Sequence, residues 1–195
     1  MIIWISSYPK SGNTWVRAFL SAYLHSPDGK FNFGLLDKIG EFPDHKILSK
    51  FMDSKDFHKL GEVSKYWIKV QEYMNLKKEN IFLKTHSAFC NINGNKFTNK
   101  KNTSFFIYIV RDPRNVITSL KNHMDFTSYE EAFNFMTDKN IILTNKEKIF
   151  SRNQFISSWR VNYSSWTKMN TFKKLLIRYE DMIAKPERTF KQLIL

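Results

Sequence analysis

The apolar run Ile2-Ile3-Trp4-Ile5 leads, after two serines, into Tyr8-Pro9-Lys10-Ser11-Gly12-Asn13-Thr14-Trp15. That transition constrains the fold more than any other stretch of the chain. A buried strand must end, the backbone must turn on Pro9 and Gly12, and a helix must begin. A strand, a tight turn and a helix N-terminus in this order bring free N–H groups and the positive end of the helix dipole to one spot, where an anion such as phosphate can sit. Lys10, the hydroxyls of Ser11 and Thr14, and the Trp15 ring surround the same spot.

Three further apolar runs, Ile81–Thr85, Phe105–Val110 and Leu175–Tyr179, read as strands. Their apolarity is continuous rather than alternating, which is expected of parallel strands covered on both faces. Helical spacing lies between them: Trp15, Phe19 and Tyr23 recur every four residues beside Val16, Leu20 and Leu24, and Phe155, Trp159, Tyr163 and Trp166 form a second stripe. Such stripes are more often core than ligand contacts, and the second is read as core. The expected fold is α/β in three layers, a central and mostly parallel sheet flanked by helices, with ligands at the carboxyl ends of the strands. Residues 26–78 have weak periodicity and interleave Phe51, Phe57, Tyr66 and Trp67 with lysines; they are expected to cap the sheet as helices and loops on the acceptor side of a site. Residues 1–195 read as one domain. Pro186 opens a helix running through Glu187 to Leu195 with no C-cap, so the pattern predicts a truncated C-terminus.

The formal net charge of +13 predicts an anionic partner: a phosphorylated small molecule, an acidic glycan or a nucleic acid. No recognisable nucleic-acid module organises the aromatics, and none is expected to be bound. Part of the charge reads as solvated surface, as in the Asn- and Lys-rich segment Asn91–Ser104. A single cysteine, Cys90, excludes an intramolecular disulfide and any multi-cysteine zinc site. Its position four residues after His86 does not make a metal site, because no further ligands cluster there, and no metal is expected. No run reaches membrane-spanning length and no secretory leader opens the chain, which gives a cytoplasmic expectation. The glycosylation-like triplets at 102–104 and 162–164 are then chance matches.

The opening loop does not fit the ordinary triphosphate-binding pattern. Asn13 stands where that pattern needs its lysine, Ser7 stands where it needs its first glycine, and no strand ends in an aspartate suited to Mg²⁺. The order Tyr-Pro-Lys-Ser-Gly-Asn-Thr-Trp instead resembles the signature loop of the sulfotransferases that use 3′-phosphoadenosine 5′-phosphosulfate (PAPS), with Asn13 in place of the usual threonine. Arg111-Asp112-Pro113-Arg114-Asn115-Val116-Ile117-Thr118-Ser119 resembles that family's 3′-phosphate motif, Lys84-Thr85-His86 its catalytic-base segment, and Arg178-Tyr179-Glu180-Asp181-Met182 the segment after its last common strand. The four matches fall in family order over residues 2 to 190. The family's C-terminal Arg-Lys-Gly loop, which closes over the nucleotide, has no counterpart.

The resemblance implies the P-loop-NTPase-like sulfotransferase fold and a set of roles. His86 would be the base, Lys10 would neutralise the leaving phosphate, and Lys84 would assist the sulfuryl oxygens. Ser11, Gly12, Asn13 and Thr14 would hold the 5′-phosphate, Arg111 and Ser119 the 3′-phosphate, and Trp15 and Tyr179 would face the adenine. It also implies a small-molecule or glycan acceptor, chosen by residues 26–78 and the 124–150 loops. His25, His45, His58 and His123 have no comparable setting. Two other functions compete: a non-catalytic anion- or nucleotide-binding remnant of the fold, and a nucleotide-dependent kinase.

Overall fold

The computed structural model describes residues 1–77, 79–143 and 153–194. Its centre is a five-stranded sheet, β1 (Ile2–Ser7), β2 (Gly40–Glu41), β3 (Ile81–Thr85), β4 (Thr103–Val110) and β5 (Lys173–Arg178). The spatial order is β2-β3-β1-β4-β5 and every pairing is parallel. Seven helices matter for the site: α1 (Asn13–His25), α2 (Trp67–Met74), α3 (Pro113–His123), α4 (Tyr129–Thr137), α5 (Trp159–Thr167), α6 (Tyr179–Ala184) and α7 (Pro186–Lys191). Parallel pairing forces each connection to cross back over the sheet, which puts helices on both faces and makes three layers.

The pleat of the central strands sorts their side chains between two cores. Ile2 and Trp4 of β1, with Phe106 and Tyr108 of β4, enter an aromatic core that also holds Phe42, Trp67, Phe97 and Trp166. Ile5, Ile107 and Ile109 point the other way, against Val16 and Leu20 of α1, Met182 of α6 and Phe190 of α7. In the aromatic core the rings meet edge-on or tilted, with centroids 5.0 Å apart for Trp4 and Phe97 and 5.2 Å for Phe106 and Trp166. Such pairs add about 0.5–1.5 kcal/mol each beyond the area they bury. Two of the three indoles in this core satisfy their N–H groups, Trp4 donating to Thr103 Oγ1 at 2.8 Å and Trp166 to the Ser87 carbonyl at 2.9 Å, while the Trp67 Nε1 is buried without a partner.

Several expectations from the sequence need correction. The last strand is Lys173–Arg178 rather than Leu175–Tyr179, and Tyr179 opens α6. This strand lies at the sheet edge, where only one neighbour fixes it and Leu176 is left exposed, so continuous apolarity marks it poorly. Phe155 does not belong to the helical stripe; it pairs with Ile142 in a two-residue antiparallel ladder. Ser157 takes a left-handed φ of 57°, and Ser158 caps α5 by accepting the Val161 N–H, so the helix starts at Trp159. On α1 the buried face is Val16 and Leu20, while Trp15, Tyr23 and Leu24 are exposed.

Residues 26–78 are more than a cap. Phe42, Leu48, Phe57, Val63, Trp67 and Val70 are buried in the main aromatic core, delivered by several short segments of which only α2 supplies two, Trp67 and Val70. That arrangement has no single period to read. Within Asn91–Ser104, Phe97, Thr98, Asn102 and Thr103 are buried, so this stretch is not plain solvated surface. Pro186 does open a helix, α7, which ends at Lys191. Residue 195 of the expected longer helix, and residues 144–150 of the expected acceptor loops, lie outside the described residues.

Candidate active site

All four motif segments converge at the carboxyl ends of β1, β3, β4 and β5. The loop after β1 is shaped by two left-handed residues, Lys10 (φ 65°) and Gly12 (φ 102°). Gly12 also faces a tight wall: a Cβ there would lie 2.6 Å from Tyr179 Cδ2 and 2.9 Å from Met182 Cε. Only glycine meets both demands. The Gly12 carbonyl accepts from the N–H groups of Trp15 at 3.0 Å and Val16 at 3.3 Å, and no side chain caps α1. The first-turn N–H groups and the positive end of the dipole are therefore available to an anion.

The side chains of the loop divide into those that build it and those left open. Asn13 is buried and builds it, donating from Nδ2 to the Ile5 carbonyl at 3.1 Å and to Ser7 Oγ at 3.2 Å. Both Nδ2 hydrogens are spent on β1 and the unpartnered Oδ1 can only accept, so toward an anion this position offers only its backbone N–H. Ser11 Oγ is buried without a hydrogen-bond partner, Lys10 is half-buried, and Thr14 is exposed. An orphaned hydroxyl beside an uncapped helix N-terminus suits a phosphate or sulfate oxygen.

Arg111, at the end of β4, joins the loop to the last motif. Its Nη1 donates to the Lys10 carbonyl at 3.0 Å, and its guanidinium carbon lies 4.2 Å from the Tyr179 ring centroid. Its Nε is buried with no hydrogen-bond partner, so part of the fork is unspent and suited to a ligand oxygen. Trp15 approaches Tyr179 edge-on at 6.2 Å and Phe190 at 5.5 Å, and 39% of its surface is exposed, so its ring can receive a planar group. Ser119 lies on α3, half-buried. Glu180 ties the two segments together by accepting the Asp112 N–H at 2.9 Å.

His86, one residue past β3, sits at the foot of the same loop. Its Nδ1–H donates to the Ser7 carbonyl at 2.8 Å, with Ser7 Oγ at 3.2 Å. A carbonyl can only accept, so the neutral ring carries its proton on Nδ1 and its lone pair on Nε2. Burial and the nearby Lys84 charge push the His86 pKa down to about 3, against smaller opposing effects of the Ser7 carbonyl and Glu41. The ring is therefore neutral at ordinary pH. Lys84 does not stand open: its Nζ is 2.6 Å from Glu41 Oε1 on β2, and both side chains are largely buried. Glu41 Oε1 also accepts from Gln154 Nε2 at 2.7 Å, and Gln154 Oε1 accepts the His86 N–H at 2.5 Å.

Glu41 and Gln154 were not legible in the sequence, whereas Glu180 lay inside the Arg178–Met182 motif with no role assigned to it. Glu41 lies in a two-residue strand and Gln154 in another, and neither carries a motif. No group of three or more metal-ligating side chains occurs among the described residues. A cavity of about 700 Å³ lies elsewhere, between α3, α4 and α5, lined in part by Ile117, Phe133, Met136 and Trp159. Val161 and Ser164 face it, whereas Asn162 and Ser165 of the same helix bond to the chain at His86 and Phe89, on another face of α5.

The fold and site together define a three-layer α/β protein with an uncapped strand–loop–helix turn and a neutral histidine at its foot. A sequence model of the sulfotransferase domain matches residues 2–194, and the chain belongs to that family. A luciferin sulfotransferase from Photinus pyralis is 26% identical over 179 residues, covering 91% of this chain and 46% of that protein. Among solved structures, mouse sulfotransferase SULT7A1 complexed with PAP superposes with a TM-score of 0.56 at 18% identity, over 98% of this chain and 57% of the other. A retinol dehydratase in complex with retinol and PAP gives 0.54 at 14% identity, over 98% and 58%. The two structures share the fold. This chain spans about half the length of the curated relative.

Proposed function

We propose that this chain transfers a sulfuryl group from PAPS to a hydroxyl or amine of a small-molecule acceptor. The observation that carries the reading is the Ser7–His86 hydrogen bond: it places a neutral histidine, with its lone pair on Nε2, directly below the anion loop. His86 Nε2 takes the acceptor's proton as the acceptor's oxygen or nitrogen forms its bond to sulfur. The bond from sulfur to the bridging phosphate oxygen breaks, and the electron pair leaves with 3′-phosphoadenosine 5′-phosphate (PAP). Lys10 neutralises charge on that oxygen, while Ser11 Oγ and the N–H groups of Gly12, Asn13 and Thr14 hold the 5′-phosphate. Lys84 attends the sulfuryl oxygens. Arg111 and Ser119 hold the 3′-phosphate, and Trp15 and Tyr179 flank the adenine.

The orphaned Ser11 hydroxyl and Arg111 Nε support this assignment of the donor. A small, largely apolar acceptor is supported by relatives described as acting on luciferin or complexed with retinol. Residues 26–78 contribute to its choice, because β2 brings Glu41 into the site. No helix among the described residues is long and apolar enough to cross a membrane. A cytoplasmic setting belongs to the same proposal, and the lone Cys90 is compatible with a reducing interior.

Donor choice tests the reading. Purified chain incubated with sulfur-labelled PAPS and a panel of phenols, alcohols and amines is expected to label an acceptor without added metal. Labelling from ATP with Mg²⁺ instead would support a kinase, which the Asn13 geometry disfavours. One observation favours a non-catalytic nucleotide binder: Lys84 is already paired with Glu41. Thermal stabilisation by PAP with no transfer to any acceptor would establish that alternative.

A further inference from the structure

The geometry points to Glu41 and Gln154 as positioning residues that set Lys84 and His86 through one continuous hydrogen-bonded brace; the inference rests on the sulfuryl-transfer reading. The brace runs from Lys84 Nζ to Glu41 Oε1 (2.6 Å), from Gln154 Nε2 to the same oxygen (2.7 Å), and from the His86 N–H to Gln154 Oε1 (2.5 Å). Gln154 is 1% exposed, so water does not substitute for its bonds to Glu41 and the His86 N–H, and its Oε1 also takes a longer contact from Thr85 Oγ1 at 3.4 Å. The ends of the brace are the two groups whose placement the chemistry needs.

Residue 154 must donate on one side and accept on the other. An amide does both at a fixed separation, a carboxylate has no hydrogen to donate, and a leucine has neither function. The orientation of the amide follows: nitrogen toward Glu41, oxygen toward the His86 N–H. The far side of His86 is held as well, since its carbonyl accepts Asn162 Nδ2 at 2.9 Å and its ring Nδ1–H reaches Ser7 at 2.8 Å. Gln154 is thus the clamp on the N–H side of the residue that carries the base. Glu41 fixes both the amide and the Lys84 ammonium, and Lys84 is the charge that acts most strongly on His86. Misplacing a reacting group by about 1 Å can cost on the order of 10²-fold in rate, so a brace of this kind acts on turnover more than on donor binding.

An exchange of the two functional groups tests it. Gln154→Glu sets a second carboxylate against Glu41, and Glu41→Gln leaves two amides with a weakened hold on Lys84. Each single variant is expected to lose about tenfold or more in kcat with KM for PAPS unchanged. The double variant, Glu41→Gln with Gln154→Glu, restores a donor facing a carboxylate and an acceptor facing the His86 N–H, and is expected to recover most of the loss. Singles with wild-type kcat, or a double variant no better than the worse single, would overturn the proposal. A second readout needs no turnover. In ¹⁵N–¹H spectra of the PAP-bound chain the His86 amide proton is expected downfield of an unbonded amide, because it donates to Gln154 Oε1, and to move upfield in Gln154→Leu. If wild-type chain transfers no sulfuryl group yet this proton moves, the sulfuryl reading falls and the brace stands. An ordinary amide shift that Gln154→Leu leaves in place would overturn the brace. Glu41→Asp, one methylene shorter, serves if the other variants do not fold, and is expected to lower kcat with PAP affinity retained; unchanged kcat would count against the brace.

Discussion

Gly12→Ala concentrates its effect on the anion loop. The added Cβ meets two independent obstacles: a φ of 102° that L-residues rarely adopt, and ring and methyl atoms at 2.6 Å (Tyr179 Cδ2) and 2.9 Å (Met182 Cε). The left-handed backbone costs roughly 1–2 kcal/mol, and forcing a methyl into packed neighbours costs roughly 1–3 kcal/mol. The two act on different coordinates, so about 2–5 kcal/mol of destabilisation is expected, or a fall in Tm on the order of 5–15 °C for a chain of this size. Tyr179 cannot withdraw freely, because its ring carries Arg111 on one side and Trp15 at its edge. The strain therefore spreads to the groups assigned to both phosphates, and PAP affinity falls with stability. The assay is thermal denaturation with and without PAP, alongside isothermal titration. Adding Tyr179→Ala to Gly12→Ala removes the nearer contact but neither the backbone strain nor Met182, so it restores only part of the Tm relative to Tyr179→Ala alone. A Gly12→Ala chain with wild-type Tm and wild-type PAP affinity would refute the reasoning, since neither the φ nor the wall would then be as described.

Arg111→Lys keeps a charge but cannot both reach the Lys10 carbonyl and lie flat on Tyr179, so PAP affinity is expected to fall about tenfold while binding of adenosine 5′-phosphosulfate, which lacks the 3′-phosphate, changes less; calorimetry separates the two. Turnover should stay flat from about pH 8 down to pH 5 as far as His86 is concerned, because its pKa lies near 3 rather than near 6.5; a pH–rate profile of kcat with an acid limb centred near 6.5 that vanishes in His86→Ala would contradict this. The same depression has a stability sign: between about pH 6.5 and 3 the unfolded chain binds more protons at His86, so stability falls as pH falls, with Lys84 and Arg17 as the opposing charges and Glu41 as the favourable one. Acid titration of Tm should be shallower in His86→Gln across that window. Trp166→Ala removes a buried indole that packs on Phe89, Phe97 and Phe106 and donates to Ser87, and is expected to cost about 3–5 kcal/mol in denaturant unfolding.

The central strands were legible because burial on both faces writes itself as unbroken apolarity, as in Ile2–Ile5 and Ile81–Thr85. The edge was less legible. Gly40–Glu41 is two residues held by one neighbour, and no pattern of side chains marks so short a strand. The core contribution of residues 26–78 was hidden for a related reason: Phe42, Phe57 and Trp67 come from separate short elements, and periodicity needs length to show. The segments carrying Lys10, His86, Arg111 and Tyr179 come together at one edge of the sheet because each follows a strand and strand order fixes where the strands end. Side-chain direction was not encoded in that order. Asn13 turns back to Ile5 and Ser7, and Lys84 turns to Glu41, for reasons that arise only once β1, β2 and β3 are side by side. Gln154 could not be found at all from its neighbours in the chain, since its role depends on two residues 68 and 113 positions away.

The central claim is that a neutral His86 below a lysine-bearing anion loop moves a sulfuryl group from PAPS. The most direct measurement is single-turnover transfer of label from sulfur-labelled PAPS by the intact chain, beside His86→Ala and Lys10→Ala, with PAP affinity measured on all three. The account predicts transfer by the wild-type chain, a loss of about 10²-fold or more in each variant, and PAP affinity kept by His86→Ala. Transfer at the wild-type rate by His86→Ala would contradict it.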